Sequence, residues 1–206
     1  LRRNQELAAL NQMSQALSRL AEPAEILQLI CEMSGQVLDN RNLFVALCDE
    51  QQQWLSVPFF TIDGEFQELP GRRMANGLAE YVVRSKTPLL WRRNTTQELV
   101  THGIEAFVQP GKSLLAVPML ANDRAVGVIA VQNYQEEDAY NEQHLELLST
   151  FAAQAAIALE NARLYAAAQQ ELAERRRAEE ALEATNAELA QTVTKANQLA
   201  LAAEAA

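Results

Sequence analysis

Two histidines and two cysteines are the side chains whose types offer chemistry here, and their surroundings decide what they can do. His144 stands near the start of a long helical pattern, a place where an imidazole could accept a phosphoryl group. A phosphoacceptor histidine is followed by an acidic residue and then, shortly, by Thr or Asn and Pro. His144 is followed instead by Leu145-Glu146-Leu147-Leu148, so it is expected to be an exposed first-turn residue. His102 lies in the least regular part of the chain. A metal or axial haem ligand there needs a second His, Cys or carboxylate at ligand spacing, and none is present. Cys31 and Cys48 sit far apart among apolar neighbours and read as buried, reduced thiols. No glycine-rich nucleotide loop and no carboxylate-glycine metal motif occurs. The expectation is a regulatory chain that is not an enzyme, holds no metal and has nothing with which to bind and cleave ATP.

Charge narrows the partners. Asp and Glu number 27 against 17 Lys and Arg, a net charge of −10. That balance predicts no nucleic-acid binding and no direct contact with an anionic membrane. The one dense basic run, Arg175-Arg176-Arg177, is flanked by Glu171, Glu174, Glu179 and Glu180 at helical ion-pair spacings, and reads as a solvated helix face. No apolar run approaches the roughly 20 residues that cross a bilayer. Reduced thiols point to a cytoplasmic setting. The chain begins without a methionine and stops inside a helical pattern, so it reads as a piece of a longer protein whose other parts could include a membrane anchor.

The elements that position these residues follow from periodicity. All 7 glycines and 6 prolines fall between Pro23 and Gly127, and the stretch 141–206 is rich in alanine. Such a stretch predicts one helix of about 100 Å. Asn141 caps it, Glu142 complements its dipole, and Tyr140 can staple onto Leu145. A helix this long cannot bury itself on one small domain and must find a partner. At the other end, Leu7, Leu10, Met13, Leu17 and Leu20 stripe a helix over 1–20. Pro23 opens a second helix running to about Leu38, with Ile26, Ile30, Met33 and Val37 on its core face.

Strands are expected over 42–48 and 54–62, with Pro58 at a bulge or an edge. Asp63-Gly64 makes a hairpin turn into a marginal edge strand at 65–69. Pro70 and Gly71 break the chain, Asn76 caps a short helix over 77–85, and a short strand follows at 88–91. The segment 92–111 is irregular, with a helical turn at 97–101. A last hairpin, 113–120 and 125–134, turns at Asn122-Asp123. Hairpins flanked by helices read as α+β.

The last hairpin carries a resemblance. Lys112-Ser113-Leu114-Leu115-Ala116-Val117-Pro118-Met119-Leu120 followed by Val126-Gly127-Val128-Ile129-Ala130-Val131-Gln132-Asn133-Tyr134 resembles the closing hairpin of a GAF domain. Gly77-Leu78-Ala79-Glu80-Tyr81-Val82-Val83, then Lys86-Thr87-Pro88-Leu89-Leu90, matches the helix and strand before that family's pocket loop. The run from Tyr140 to Tyr165 looks like its closing helix. The resemblance implies a six-stranded antiparallel sheet of order 3-2-1-6-5-4, terminal helices on one face, and often a small-molecule pocket on the other. It implies a GAF sensor domain over 21–165, preceded by a linker or dimer helix over 1–20. Residues 166–206 resemble the signalling helix that links bacterial sensors to histidine kinases, above all at Ala173-Glu174-Arg175-Arg176-Arg177-Ala178-Glu179-Glu180-Ala181-Leu182.

The resemblance also says what to look for in the pocket. A covalently bound bilin needs a cysteine, often in the segment that is 95–108 here, and none is there. The sulfoxide-reducing branch needs thiols in the pocket loops, where neither cysteine falls. The Asn-Lys-Phe-Asp-Glu signature of the cyclic-nucleotide-binding subset is missing. Trp54, Phe59, Phe60, Met74, Tyr81, Trp91 and Phe107 are the large residues near the implied pocket, and Tyr81, Trp91, His102 and Phe107 are the ones expected to face an unknown small ligand. The implied function is a sensor relaying a signal along a dimeric helix to a kinase domain in the same chain. A ligand-free dimerising spacer, or a sensor for a cyclase or transcriptional regulator, remains open.

The helix after Tyr165 admits two seams for a parallel homodimer formed through 1–20 and 141–206. One is Tyr165, Ala168, Leu172, Arg175, Glu179, Leu182, Asn186, Leu189, Val193 and Ala196, which places two charges where a coiled coil wants apolar residues. The other, Ala178, Leu182, Thr185, Leu189, Thr192, Ala196 and Leu199, needs a skip near 175–178. Close energies would make 174–182 a bistable element.

Overall fold

The computed structural model describes residues 23–49 and 51–204, with side chains described as far as 190 and again at 192–194. The helix expected over 1–20 and its dimer contact therefore lie outside the described residues. The elements are α1 (Pro23–Gly35), β1 (Leu43–Asp49), β2 (Trp54–Ile62), β3 (Glu65–Phe66), β4 (Leu69–Arg73), α2 (Leu78–Ser85), β5 (Leu89–Trp91), α3 (Thr95–Thr101), β6 (Ser113–Ala121), β7 (Arg124–Asn133) and α4 (Glu142–Glu204).

All sheet pairings are antiparallel, in the order β3-β2-β1-β7-β6-β5, with β4 also on β2. This is the expected α+β arrangement with one difference: the sheet has seven strands, not six. The expected third strand is split in two. β3 pairs with Thr61 and Ile62 at one end of β2, and β4 pairs with Trp54, Leu55 and Val57 at the other. Pro70 and Gly71 do not break the chain as expected. They form a two-residue bulge in β4 opposite the single Ser56, between the pairs Leu55–Arg72 and Val57–Leu69. An outer strand tolerates a proline there because no neighbour needs its missing N–H. Pro58 occupies a similar bulge in β2, between the pairs Val45–Phe59 and Leu47–Ser56.

Both hairpin turns use left-handed residues, as their length demands. Asp63 and Gly64 have φ of 51° and 84°, and Asn122 and Asp123 have φ of 48° and 61°. Strand alternation then sorts the side chains onto two faces. Leu43 and Val45, Leu115 and Val117, and Ile129 and Val131 meet Ile26, Ile30, Leu148, Phe151 and Ala152 of the terminal helices. Each such Val, Leu, Ile or Phe side chain, taken wholly out of water, contributes about 1.5–3 kcal/mol. Ala46, Leu114, Ala116, Val128 and Ala130 turn to the other face, under α2 and α3. Gly127 lets β7 lie close to β1 and to the Met119 side chain: a Cβ there would lie 2.3 Å from Ala46 O and 2.5 Å from Met119 Cε.

The start of α4 follows its sequence signals. Asn141 Oδ1 accepts from His144 N at 3.0 Å, and Tyr140 is buried with its hydroxyl donating to Asp39 O at 3.0 Å. His144 itself is half-buried, not exposed: it stands 6.4 Å from the Tyr140 ring, edge to face. The start of α2 departs from expectation. Gly77, not Asn76, occupies the cap position, with no side-chain cap bond. Asn76 is drawn off because its amide donates to Gly103 O and its Oδ1 accepts from Arg84 Nη2 at 2.6 Å.

The chain divides into two compact units, with the boundary between Ala162 and Arg163, and α4 runs unbroken through that point. In the second unit Leu164, Tyr165, Leu172, Leu182, Leu189 and Val193 are all half exposed or more on a helix otherwise rich in alanine and charged residues. Arg175 Nε and Glu179 Oε1 pair at 3.2 Å along the helix, and Asn186 is exposed. No helix among the described residues is long and apolar enough to cross a membrane.

Candidate ligand site

The face of the sheet away from α1 and α4 carries a cavity of about 300 Å³. Its floor is Phe44 and Ala46 of β1, Leu55 and Val57 of β2, Leu114 of β6 and Gln132 of β7. Leu78 and Ala79 of α2 and Thr95 and Leu99 of α3 roof it. The loop 105–110 and the bulged edge β4 close its side. Small residues make the space: Ala46 and Ala79 stand where larger side chains would fill the gap between sheet and helix.

The four residues singled out from sequence divide between two places. Trp91 and Phe107 line the cavity, whereas Tyr81 and His102 do not. Tyr81, His102 and Trp91 form an aromatic group: the His102 ring lies 5.5 Å from Tyr81, edge to face, and 5.5 Å from Trp91, tilted. His102 Nδ1 is 2.9 Å from Glu98 O of the helix it caps, and its ring contacts with Tyr81 and Trp91 tie α3 to α2 and β5 behind the cavity wall. Among the large residues noted with them, Phe60 lines the cavity and Trp54 is exposed at the start of β2.

Sequence reasoning passed over the polar groups that shape the site. Glu80 is wholly buried and takes a two-pronged ion pair from Arg72, Nη1–Oε1 2.5 Å and Nη2–Oε2 3.2 Å. Ala75 N donates to the same carboxylate at 2.9 Å. Burial alone would push the Glu80 carboxyl up, but the Arg72 hydrogen bonds and the backbone N–H groups outweigh it and hold the group below the usual carboxylate range. The Arg72 guanidinium also lies over the Phe107 ring, 3.9 Å from its centroid. One side chain on edge strand β4 thus fastens α2 and the 105–110 loop together. Gln132 is 5% exposed, and its Oε1 accepts from Gly111 N at 2.9 Å. A signal for Gln132 was present in the sequence: two-residue alternation puts it on the face of Val128 and Ala130, a polar residue on an inward row.

Cys31 packs within the helix-covered face, where burial above all, and then the Glu32 charge, push its thiol up to about 12. Cys48 is half-buried on β1, and the two are not joined by a disulfide. Neither is among the residues lining the cavity. Among the described residues no three His, Cys, Asp or Glu side chains converge as a metal site requires.

Comparison with known proteins agrees with this architecture. No curated protein matches the chain. Among solved structures it is similar to the GAF domain from an Acinetobacter phosphoenolpyruvate-protein phosphotransferase, at 20% identity and a TM-score of 0.64, covering 78% of this chain and 96% of that one. It is also similar to residues 122 to 287 of a methyl-accepting chemotaxis protein, at 18% identity and a TM-score of 0.63, covering 74% and 98%. The free methionine-R-sulfoxide reductase from Neisseria meningitidis, solved with its substrate, follows at 12% identity and a TM-score of 0.56, covering 78% and 91%. At such identities the likeness shows the fold alone. The GAF domain family model matches residues 21–160, about two thirds of the sequence, and the chain therefore belongs to the GAF domain family.

Proposed function

We propose that this GAF domain is a sensor: a small molecule occupies the cavity, and its presence is passed through the sheet to α4 and on to an output module in the same polypeptide. The observation that carries this reading is the cavity itself, lined mostly by apolar side chains and flanked by a pinned loop. The route is short. Leu114 and Ala116 of β6 face the cavity side, while Leu115 and Val117 between and beside them pack with the first turns of α4. A strand shifted from one face moves the helix on the other. Trp91 and Phe107 are the proposed ligand contacts from the sequence-derived set, and Tyr81 and His102 are proposed to brace the wall behind Trp91.

The proposed output is a histidine kinase, on the strength of the signalling-helix resemblance at 173–182. Parallel pairing of two chains along α4 is part of the proposal, because the half-exposed leucines of the second unit need a cover that one chain does not provide. The seam proposed to carry the signal includes Arg175, Glu179, Leu182, Asn186 and Leu189. A cytoplasmic setting suits thiols that are not joined.

The test is native mass spectrometry of freshly purified protein, beside a Leu114→Trp variant that fills the cavity. A bound small molecule is expected on the wild type and absent from the variant. A wild type that never carries one, with a variant that melts higher and signals normally in an intact receptor, would make the module a ligand-free spacer.

A further inference from the structure

We propose that the cavity takes an uncharged aromatic molecule of about two fused rings carrying one hydrogen-bond acceptor, which docks on the Gln132 amide. The inference rests on the sensory reading of the cavity and adds the chemical class of its ligand.

Size comes first. An apolar cavity of about 150 Å³ holds a benzene ring, and this one is about 300 Å³. Phe44, Phe60, Trp91 and Phe107 all line it, and aromatic walls favour a ring by offset or edge contacts.

Charge comes next. Arg72 is the cation on the wall, but Glu80 already holds both of its terminal nitrogens and Phe107 covers its face. A carboxylate ligand would find only the remaining N–H groups of a guanidinium whose charge Glu80 already balances, with Glu105 adding a negative charge to the same wall, so it would shed water for little return. A cation fares no better, because Glu105, the lining carboxylate, is exposed, so a cation drawn into the apolar interior would shed water without a partner. The ligand is therefore uncharged.

The last element is Gln132. Asn and Gln amides are ambiguous until a neighbour fixes them, and here Gly111 N–H identifies the bound atom as the carbonyl oxygen. The amide NH₂ is the other end of this cavity-lining side chain, and its two donors can meet a carbonyl or ring-nitrogen acceptor placed in the cavity.

The test is an NMR titration of the labelled full chain with three probes of matched size: coumarin, with one lactone carbonyl; naphthalene, with no acceptor; and 1-naphthoate, with a charge. A second arm uses Gln132→Met, which keeps the bulk and removes the donors. Coumarin is expected to bind the wild type about five- to tenfold tighter than naphthalene, the worth of one hydrogen bond between neutral groups, with naphthoate weaker than coumarin. In Gln132→Met, coumarin should fall to the level of naphthalene while naphthalene binding stays unchanged, which also shows that the variant's cavity is intact. If that variant does not fold, the wild-type ranking decides alone. Equal binding of coumarin and naphthalene, or tightest binding by naphthoate, overturns the proposal while leaving a sensory cavity standing. Failure of all three probes to move resonances of the cavity residues overturns this ligand class. The mass spectrometry of purified protein then judges the sensory reading separately.

Discussion

Arg72→Met should destabilise the domain most at neutral pH and progressively less on mild acidification, the reverse of the usual pattern for a carboxylate. In the wild type Glu80 is wholly buried, and Arg72 is 29% exposed. Breaking a buried pair by removing one partner costs about 3–5 kcal/mol. Because water reaches part of the Arg72 site, the low end applies, about 3 kcal/mol, or roughly 10 °C in Tm for a domain of this size.

The sign with pH follows from what is left behind. In the wild type the Glu80 pKa is lowered, so its contribution is full above the ordinary carboxylate pKa and is lost as pH falls through the depressed value. In Arg72→Met the Arg72 bonds that lowered it are gone, while burial, the largest influence, raises it against the remaining backbone N–H bonds of Ala75 and Glu80. With burial prevailing, the folded pKa lies above the unfolded one, and protonation stabilises the folded form. Acidifying from the raised pKa toward the ordinary value should recover up to about 1.4 kcal/mol per pH unit. The assay is urea unfolding followed by tryptophan fluorescence at pH 7, 6 and 5 for the wild type, Arg72→Met and Arg72→Met/Glu80→Gln. The double variant should be more stable than Arg72→Met at pH 7 and lack the recovery, since no buried charge remains. A penalty for Arg72→Met that is constant with pH, or that grows toward pH 5, would refute the reasoning.

Gly127→Ala should cost at least about 2 kcal/mol, because a methyl group 2.3 Å from a strand carbonyl must push two paired central strands apart; a melting temperature equal to that of the wild type would contradict the packing described. Replacing both Arg175 and Glu179 with leucine should favour the continuous seam, raise the melting temperature of the dimeric helix, and lock the output of an intact receptor in one state. If the double variant melts higher yet responds normally, the helix is a spacer and its register carries no signal.

The sequence by itself determined the fold. Apolar stripes, turn residues with left-handed preference, and a glycine- and proline-free stretch ending in α4 are local signals, and each element they predicted within the described residues is present within a few residues of its expected bounds. Trp91 and Phe107 were also legible as cavity residues, because large aromatics beside an implied pocket have few other places to go.

Only the tertiary structure decided the polar chemistry. Arg72 and Glu80 are eight residues apart, on a strand and a helix, and nothing in their spacing says that one carboxylate will lose all contact with water while the other partner keeps some. The bulge at Pro70-Gly71 helps bring them together, and a proline-glycine pair reads in sequence as a break. His102 and Tyr81 stand beside the cavity without entering it for a related reason. Which side of a wall a ring occupies depends on how α2 and α3 rotate about their axes, and that rotation is set by contacts such as Arg72–Glu80 and Asn76–Gly103, which join residues distant along the chain. Sequence periodicity fixes a face to within a third of a turn or so, too coarse to separate the inside of a 300 Å³ cavity from its outer wall.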